Sequence, residues 1–253
     1  MADFSNPACV LITGATGAIG AALAREYAAA GRVLVLHGRD AARLSAVAIE
    51  CEARGAQVHT LVLDLVDAPA AVDALRALSE RQPLDLVIVN AGVAGETEQV
   101  EDFECGRSVL AVNVQGALAT VAGVLPAMLQ RGRGQIALIS SLSAFLGLPR
   151  SPTYSASKAA LKTYGEALRG RLWGRGVAVN VIMPGFVESR LTERFPGPKP
   201  WLMKPDRAAR LIQRGLARNR ARYAFPFLFS RGTWLLSVLP AAVAVRIVRW
   251  LGY

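Results

Sequence analysis

Six short, almost uninterrupted apolar runs recur along the chain, at 9–13, 33–37, 58–63, 84–89, 135–140 and 177–182. No other feature restricts the fold as much. A strand with one wet face alternates polar and apolar residues, whereas runs apolar on both faces indicate parallel strands covered from both sides. Between them lie helical stretches at 18–30, 40–54, 67–80, 98–131 and 152–174, with a break in the long one expected near Gly123 or Pro126. Each gap is long enough for a crossover helix. The pattern predicts an α/β fold, a three-layer doubly wound parallel sheet of Rossmann-like type, in one domain. A chain of 253 residues is the right size for it.

The first run enters Thr13-Gly14-Ala15-Thr16-Gly17-Ala18-Ile19-Gly20, which opens a helix. Glycines in such a turn let backbone approach a pyrophosphate, whose charge is stabilised by the free N–H groups of the helix start. Purely steric Gly-rich connections have the same look, so the turn alone does not decide. At the end of the second run stand His37-Gly38-Arg39-Asp40. An acidic residue there would bind the ribose 2′-OH of NAD, and an arginine the 2′-phosphate of NADP. Arg39 points to NADP(H) over NAD(H), with a solvated surface arginine as its bland alternative. Asp40 precedes an Ala-rich helix and reads as a helix cap or as a ribose acceptor.

Further pieces follow in order: Asp64 after the third run, Asn90-Ala91-Gly92 after the fourth, Asn113 in the long helix, Ser140-Ser141, Tyr154-Ser-Ala-Ser-Lys158, and Pro184-Gly185-Phe186-Val187-Glu188-Ser189. With these the chain resembles the short-chain dehydrogenase/reductase family, single-domain type, up to about Asn219. One departure is Ala18, where single-domain members carry glycine; glycines at 14, 17 and 20 follow the spacing of the larger epimerase-type members. The resemblance implies a catalytic set of Asn113, Ser141, Tyr154 and Lys158. It also implies cofactor contacts from Gly14, Gly17, Ile19 and Gly20, from Arg39, Asp64 and Leu65, from Asn90, Ala91 and Gly92, from Tyr154 and Lys158, and from Pro184, Gly185, Val187 and Ser189. Dimers or tetramers built on the helices at 98–131 and 152–174 are implied as well. No metal is expected.

That chemistry suits these side chains. Tyr154 and Lys158 are four apart and share a helix face. A free phenol has a pKa of about 10 and is a poor acid/base at neutral pH. The Lys158 ammonium, with the charge of an oxidised nicotinamide, is expected to lower it, so that Tyr154 exchanges a proton with a ketone or alcohol. Ser141 would hold the reacting oxygen, and Asn113 a water in line with Lys158. An epimerase or dehydratase with a tightly held cofactor is the alternative, and a non-catalytic NADP-binding partner protein a third.

The loops after the fifth and sixth runs carry Leu142, Phe145, Leu148, Pro149, Phe186, Leu191, Phe195 and Trp201. Such a wall suits an apolar, lipid-like ketone or secondary alcohol, or else packs the loops onto the core. Pro196, Pro198 and Pro200 make 190–203 a stiff surface loop, also expected to serve as the substrate loop. A helix from 205 to 219 follows. The reductase domain is expected to span 1–221, and 222–253 to form an apolar helical extension with short helices at 229–239 and 241–251.

Charge now separates the two ends. The chain carries a net +10, yet residues 1–200 hold 19 Lys+Arg against 18 Asp+Glu, while 201–253 hold ten against Asp206 alone. Arg207, Arg210, Arg214 and Arg218 form one helical stripe, either an ordinary solvated face or a membrane contact. Between Arg231 and Arg246 lie 14 uncharged residues broken by Pro240, too few for a membrane span. The extension therefore reads as a peripheral contact with an anionic membrane surface through 201–253, a pocket lid or a subunit contact. No nucleic-acid motif is present. Three cysteines and two histidines exclude a disulfide scaffold or zinc site, and the start lacks a signal-peptide pattern, so a cytoplasmic location, at most peripheral at the inner face of a membrane, is expected.

Overall fold

A computed structural model describes residues 4–95 and 102–253. Seven parallel strands form one sheet in the order β3-β2-β1-β4-β5-β6-β7. They are β1 (Cys9–Ile12), β2 (Val33–Gly38), β3 (Gln57–Val62), β4 (Leu86–Val89), β5 (Gly134–Ile139), β6 (Val177–Pro184) and β7 (Arg222–Phe225). All six runs are strands, and the doubly wound architecture is the one the sequence predicts. The seventh is an addition. Its four residues, Arg-Tyr-Ala-Phe, are too few and too polar to stand out, and only pairing with β6 makes them a strand. Phe225 nevertheless sits in the core, so the sheet reaches past residue 221.

Period-two alternation sends side chains into two cores. Val10, Ile12, Leu34, Leu36 and Ile88 pack with α1 (Ala18–Tyr27), α2 (Ala41–Glu52) and α8 (Pro205–Ala217). On the opposite face, Leu11, Val35, Val87 and Val89 pack with α3 (Ala68–Arg81), α5 (Gly116–Arg131) and α6 (Pro152–Arg171). The remaining helices are α4 (Phe103–Leu110), α7 (Arg190–Glu193), α9 (Phe227–Ser237) and α10 (Ala241–Trp250).

The long helix corrects the sequence reading. Residues 98–101 lie outside the described residues, and from Phe103 the helix runs to Arg131. Its irregularity is a π-helical segment at Ala111–Gln115, while Gly123 and Pro126 lie inside α5. Gly123 belongs there because α3 crosses so close that a Cβ would sit 2.7 Å from the Leu75 Cβ. The 190–203 segment differs too. It contains α7, bridges Val187 to Met203, and buries Thr192, Phe195 and Met203, so it is anchored at several points.

One buried polar network ties α8 and β7 to the sheet. The Gln135 amide donates to Asn180 Oδ1 and to the Leu216 carbonyl, both at 2.9 Å. Asn180 Nδ2 donates to Asn219 Oδ1 at 3.1 Å and to the Arg220 carbonyl at 2.7 Å. Arg169 reaches Asn219 Oδ1 as well, at 3.0 Å. Replacing Gln135 by Leu leaves Asn180 Oδ1 buried without a donor, at a cost of about 1–3 kcal/mol, while the Leu216 carbonyl keeps Asn219 N at 2.8 Å. Denaturant unfolding of Gln135→Leu should show that loss as a lower midpoint with an unchanged slope; an unshifted midpoint would mean that the network is dispensable.

Candidate active site

Strand order reverses between β1 and β4, and a ligand crevice opens at the carboxyl ends of strands on either side of such a point. Thr13, fully buried, stitches it together. Its hydroxyl donates to the Ile88 carbonyl and accepts from Asn90 N at 2.9 Å and Ala91 N at 3.1 Å. Asn90 Nδ2 returns hydrogen bonds to the carbonyls of Thr13 and Gly14, at 3.0 and 3.2 Å. Gly14 has φ +65°, and a Cβ there would meet the Ala91 Cα at 2.8 Å. Gly17, by contrast, has an extended φ of −79° and starts α1 without a side-chain cap, so it does not supply left-handed freedom in place of Ala18.

His37 completes the cradle. Its Nδ1 accepts from Gly14 N at 3.3 Å, which leaves the proton on Nε2 facing the Leu63 carbonyl at 3.0 Å. Burial pushes the imidazole pKa down, partly offset by the Leu63 carbonyl. The ring thus works as a neutral strut between the glycine turn and the residue after β3.

A cleft of about 760 Å³ runs over this turn. Gly14, Gly17 and Ile19 line its floor, with Arg39 and Asp64 at one end, Leu65, Asn90, Ala91 and Gly92 along one side, and Pro184, Gly185, Val187 and Ser189 on the other. Gly20 does not line it. A Cβ at Gly20 would drive into the Gly14 carbonyl, so it acts by letting the helix close on the turn. Arg39 is exposed at the cleft edge. Asp40 caps α2, accepting from Arg43 N at 3.0 Å. Arg43, Arg190 and Arg194 also line the cleft and were not singled out in the sequence; only their place beside the glycine turn and β6 reveals them. Free N–H groups at the start of α1 and this arginine rim fit a dinucleotide's phosphates.

Ser141 ends β5 and Tyr154 and Lys158 project from α6. Ser140 Oγ donates to the Lys158 carbonyl at 2.7 Å, so Ser140 holds the helix and Ser141 faces the cleft. The Ser141 hydroxyl accepts from Ser143 N at 3.2 Å and stands beside Tyr154, where it favours the ionised phenol. Lys158 is buried, its Nζ 3.1 Å from the Ile139 carbonyl and 5.6 Å from the centre of the Tyr154 ring. Burial lowers Lys158 to about 8. Burial also raises Tyr154 to about 12, against a smaller lowering by Ser141. The expected depression of the phenol is therefore absent from the chain by itself, since its desolvation outweighs its polar neighbours.

Asn113 sits in the π-helical segment, and its amide is engaged at both ends. Oδ1 accepts from Val93 N at 2.8 Å, and Nδ2 donates to the Val93 carbonyl at 2.9 Å and to Ser157 Oγ at 3.0 Å. The side chain thus fastens the segment after β4 to α6.

A second, apolar cavity of about 140 Å³ adjoins the cleft. Ser141 and Tyr154 line both. Leu142, Leu148, Phe186, Leu191 and Phe195 wall the smaller cavity as the sequence suggests, while Phe145 lies outside it under the Arg222 guanidinium; Phe229, Leu236, Val248 and Tyr253 join from the final helices and chain end. Trp201 lies outside it, against Phe229, with ring centres 5.4 Å apart. Tyr253 was not foreseen; its ring stacks on Phe186 at 6.4 Å. Ser143 is the one buried side-chain polar atom among the described residues with no hydrogen-bond partner, and it lines the same cavity.

Comparison with known proteins agrees with this geometry. Residues 8–198 match the short chain dehydrogenase family. An uncharacterized oxidoreductase of Myxococcus xanthus is 41% identical over 232 residues, covering 91% of this chain and 92% of that one. Gluconate 5-dehydrogenase of Gluconobacter oxydans is 32% identical over 207 residues, covering 79% and 80%. Among solved structures, a short-chain dehydrogenase from Sphingobium yanoikuyae in complex with NADPH superposes with a TM-score of 0.79 at 28% identity, over 92% of this chain and 97% of that one. Fold, site and relatives agree, and the chain belongs to the short-chain dehydrogenase/reductase family of oxidoreductases.

Proposed function

We propose that the protein is an NADP(H)-dependent oxidoreductase interconverting a ketone and a secondary alcohol on a compact apolar, lipid-like substrate. One observation carries this reading: Ser141 and Tyr154 stand where the polar cleft and the apolar cavity meet. A substrate in the cavity would present its oxygen to both hydroxyls. When bound, the nicotinamide supplies or accepts the hydride at the adjoining carbon. Ser141 holds the oxygen and Tyr154 donates its proton to it in the reductive direction, a task for which a protonated phenol is suited. Lys158, cationic at neutral pH, stabilises the phenolate that this leaves. Asn113 positions this pair through Val93 and Ser157.

Preference for NADP(H) is supported by Arg39 and Arg43 at the cleft end and by the commitment of Asp40 to capping. A solved relative from Beutenbergia cavernae described as a putative NAD(P) dependent gluconate 5-dehydrogenase, 28% identical, carries bound NADP. Within the proposal residues 1–221 hold cofactor and catalytic residues, 222–253 close the substrate cavity, and pairing through α5 and α6 gives a dimer or tetramer. A cytoplasmic enzyme at the inner face of a membrane would meet apolar substrates.

The test is NADPH consumption against a panel of keto-lipids, keto-acyl thioesters and ketosteroids. Tyr154→Phe should lower kcat by about 100-fold or more through loss of the proton donor, with NADPH binding retained; full activity in this variant sinks the mechanism. The rate of reduction should hold to neutrality and fall as pH rises through about 8, where Lys158 loses its charge while Tyr154, at about 12, stays protonated. A rate still rising well above that pH contradicts the assignment. Arg39→Ala should weaken NADPH binding by roughly 10- to 100-fold, the value of a charge-assisted contact, and leave NADH binding unchanged in calorimetry.

A further inference from the structure

Helices α9 and α10 have two dissimilar faces. The inner one is accounted for: Phe229, Thr233 and Leu236 of α9 and Val248 of α10 line the apolar cavity. The outer one is not, and it is apolar. Phe227 is 65% and Leu228 72% exposed, with Trp234, Leu235 and Val238 beside them on the same side of α9. Trp250 of α10 is 84% exposed. Ser230 is the one buried residue of α9, so water meets an apolar surface that an isolated globular protein would seldom present.

Charge identifies what would cover it. Arg231 stands within the outer face of α9, its guanidinium 5.1 Å from the centre of the Phe227 ring. Arg246 and Arg249 are exposed beside Trp250 on α10. Earlier in the same basic end of the chain, α8 keeps Arg207, Arg210 and Arg214 exposed while burying Ala208, Ala209 and Ile212. Residues 201–253 hold one acidic side chain, Asp206, which is paired with Arg25. A second copy of the chain, docked symmetrically through this face, would bring arginines toward arginines without a carboxylate between them, an arrangement that costs rather than stabilises. A surface that is itself anionic and apolar beneath meets both demands, and exposed tryptophans suit the headgroup layer.

We propose that the outer face of α9 and α10 docks on an anionic lipid bilayer. The same two helices then separate bilayer from cavity, so a substrate dissolved in the lipid would enter past them. Docking stands without the reductase reading; only this entry route rests on it.

The experiment is sedimentation of the full chain with vesicles of phosphatidylglycerol and phosphatidylcholine in equal parts, against phosphatidylcholine alone. Binding is expected to the anionic vesicles only, and to fall as salt is raised. Arg246→Gln should weaken it about fivefold, the worth of one basic residue near such a surface. Leu228→Asp with Leu235→Asp should abolish it while NADPH binding and the melting temperature stay unchanged. If the double aspartate variant also unfolds the chain, the arginine variant alone decides. No binding to anionic vesicles, or equal binding by the variants, overturns the proposal. So does a dimer by light scattering that Leu228→Asp with Leu235→Asp dissolves in the absence of any vesicle binding. Loss of NADPH consumption with vesicle binding intact would count against the reductase reading and leave docking standing.

Discussion

The Thr13 hydroxyl, with three hydrogen-bond partners, is the joint on which the site depends. It locks the end of β1 to the end of β4, where the sheet changes direction, and Asn90 closes the loop from the other side. With these bonds made, the Gly14 turn, the Ala91 backbone and the start of α1 have one relative position. The crevice above them is therefore preformed, and a dinucleotide need not organise it at the cost of its own binding energy.

Much of this was legible in the chain, because the relevant signals are local. Uniform apolar runs mark strands buried on both faces, and the spacing of Tyr154 and Lys158 places them on one helix face. Signals set by tertiary contact were hidden. The four residues of β7 acquire strand geometry only from β6, and Gly123 and Pro126 look like breakers until α3 is seen to need the space at Gly123. Arg43, Arg190 and Arg194 resemble any surface arginines in sequence, and join Arg39 only when the βα turns converge. The raised pKa of Tyr154 in the chain by itself has a related cause. Counting charges near a phenol omits its burial, and here burial dominates.

The helices that wall the apolar cavity, α9 and α10, are weakly held. Ser230 of α9 and Ala244 and Val248 of α10 are the buried residues of these helices, in contrast to α5 and α6, whose stripes run into the core. Aromatic stacking of Phe186 with Phe195, Phe229 and Tyr253 supplies much of the remaining attachment. Local opening is drawn from the least stable parts of a fold, and helices with so few buried residues belong among them.

The π-helical segment at Ala111–Gln115 has a geometric consequence of its own. A π turn accommodates one residue more than an α turn, so it shifts the phase of the helix by roughly 100°. Before it, Gly106 of α4 faces Thr153 at the start of α6; after it, Gly123 of α5 faces Leu75 of α3. One continuous rod thereby serves two neighbours, with Asn113 at the point of offset. Deleting any single residue of that segment would restore an unbroken α-helix and turn one half of the rod away from its partner, so the chain's length there is as constrained as its composition.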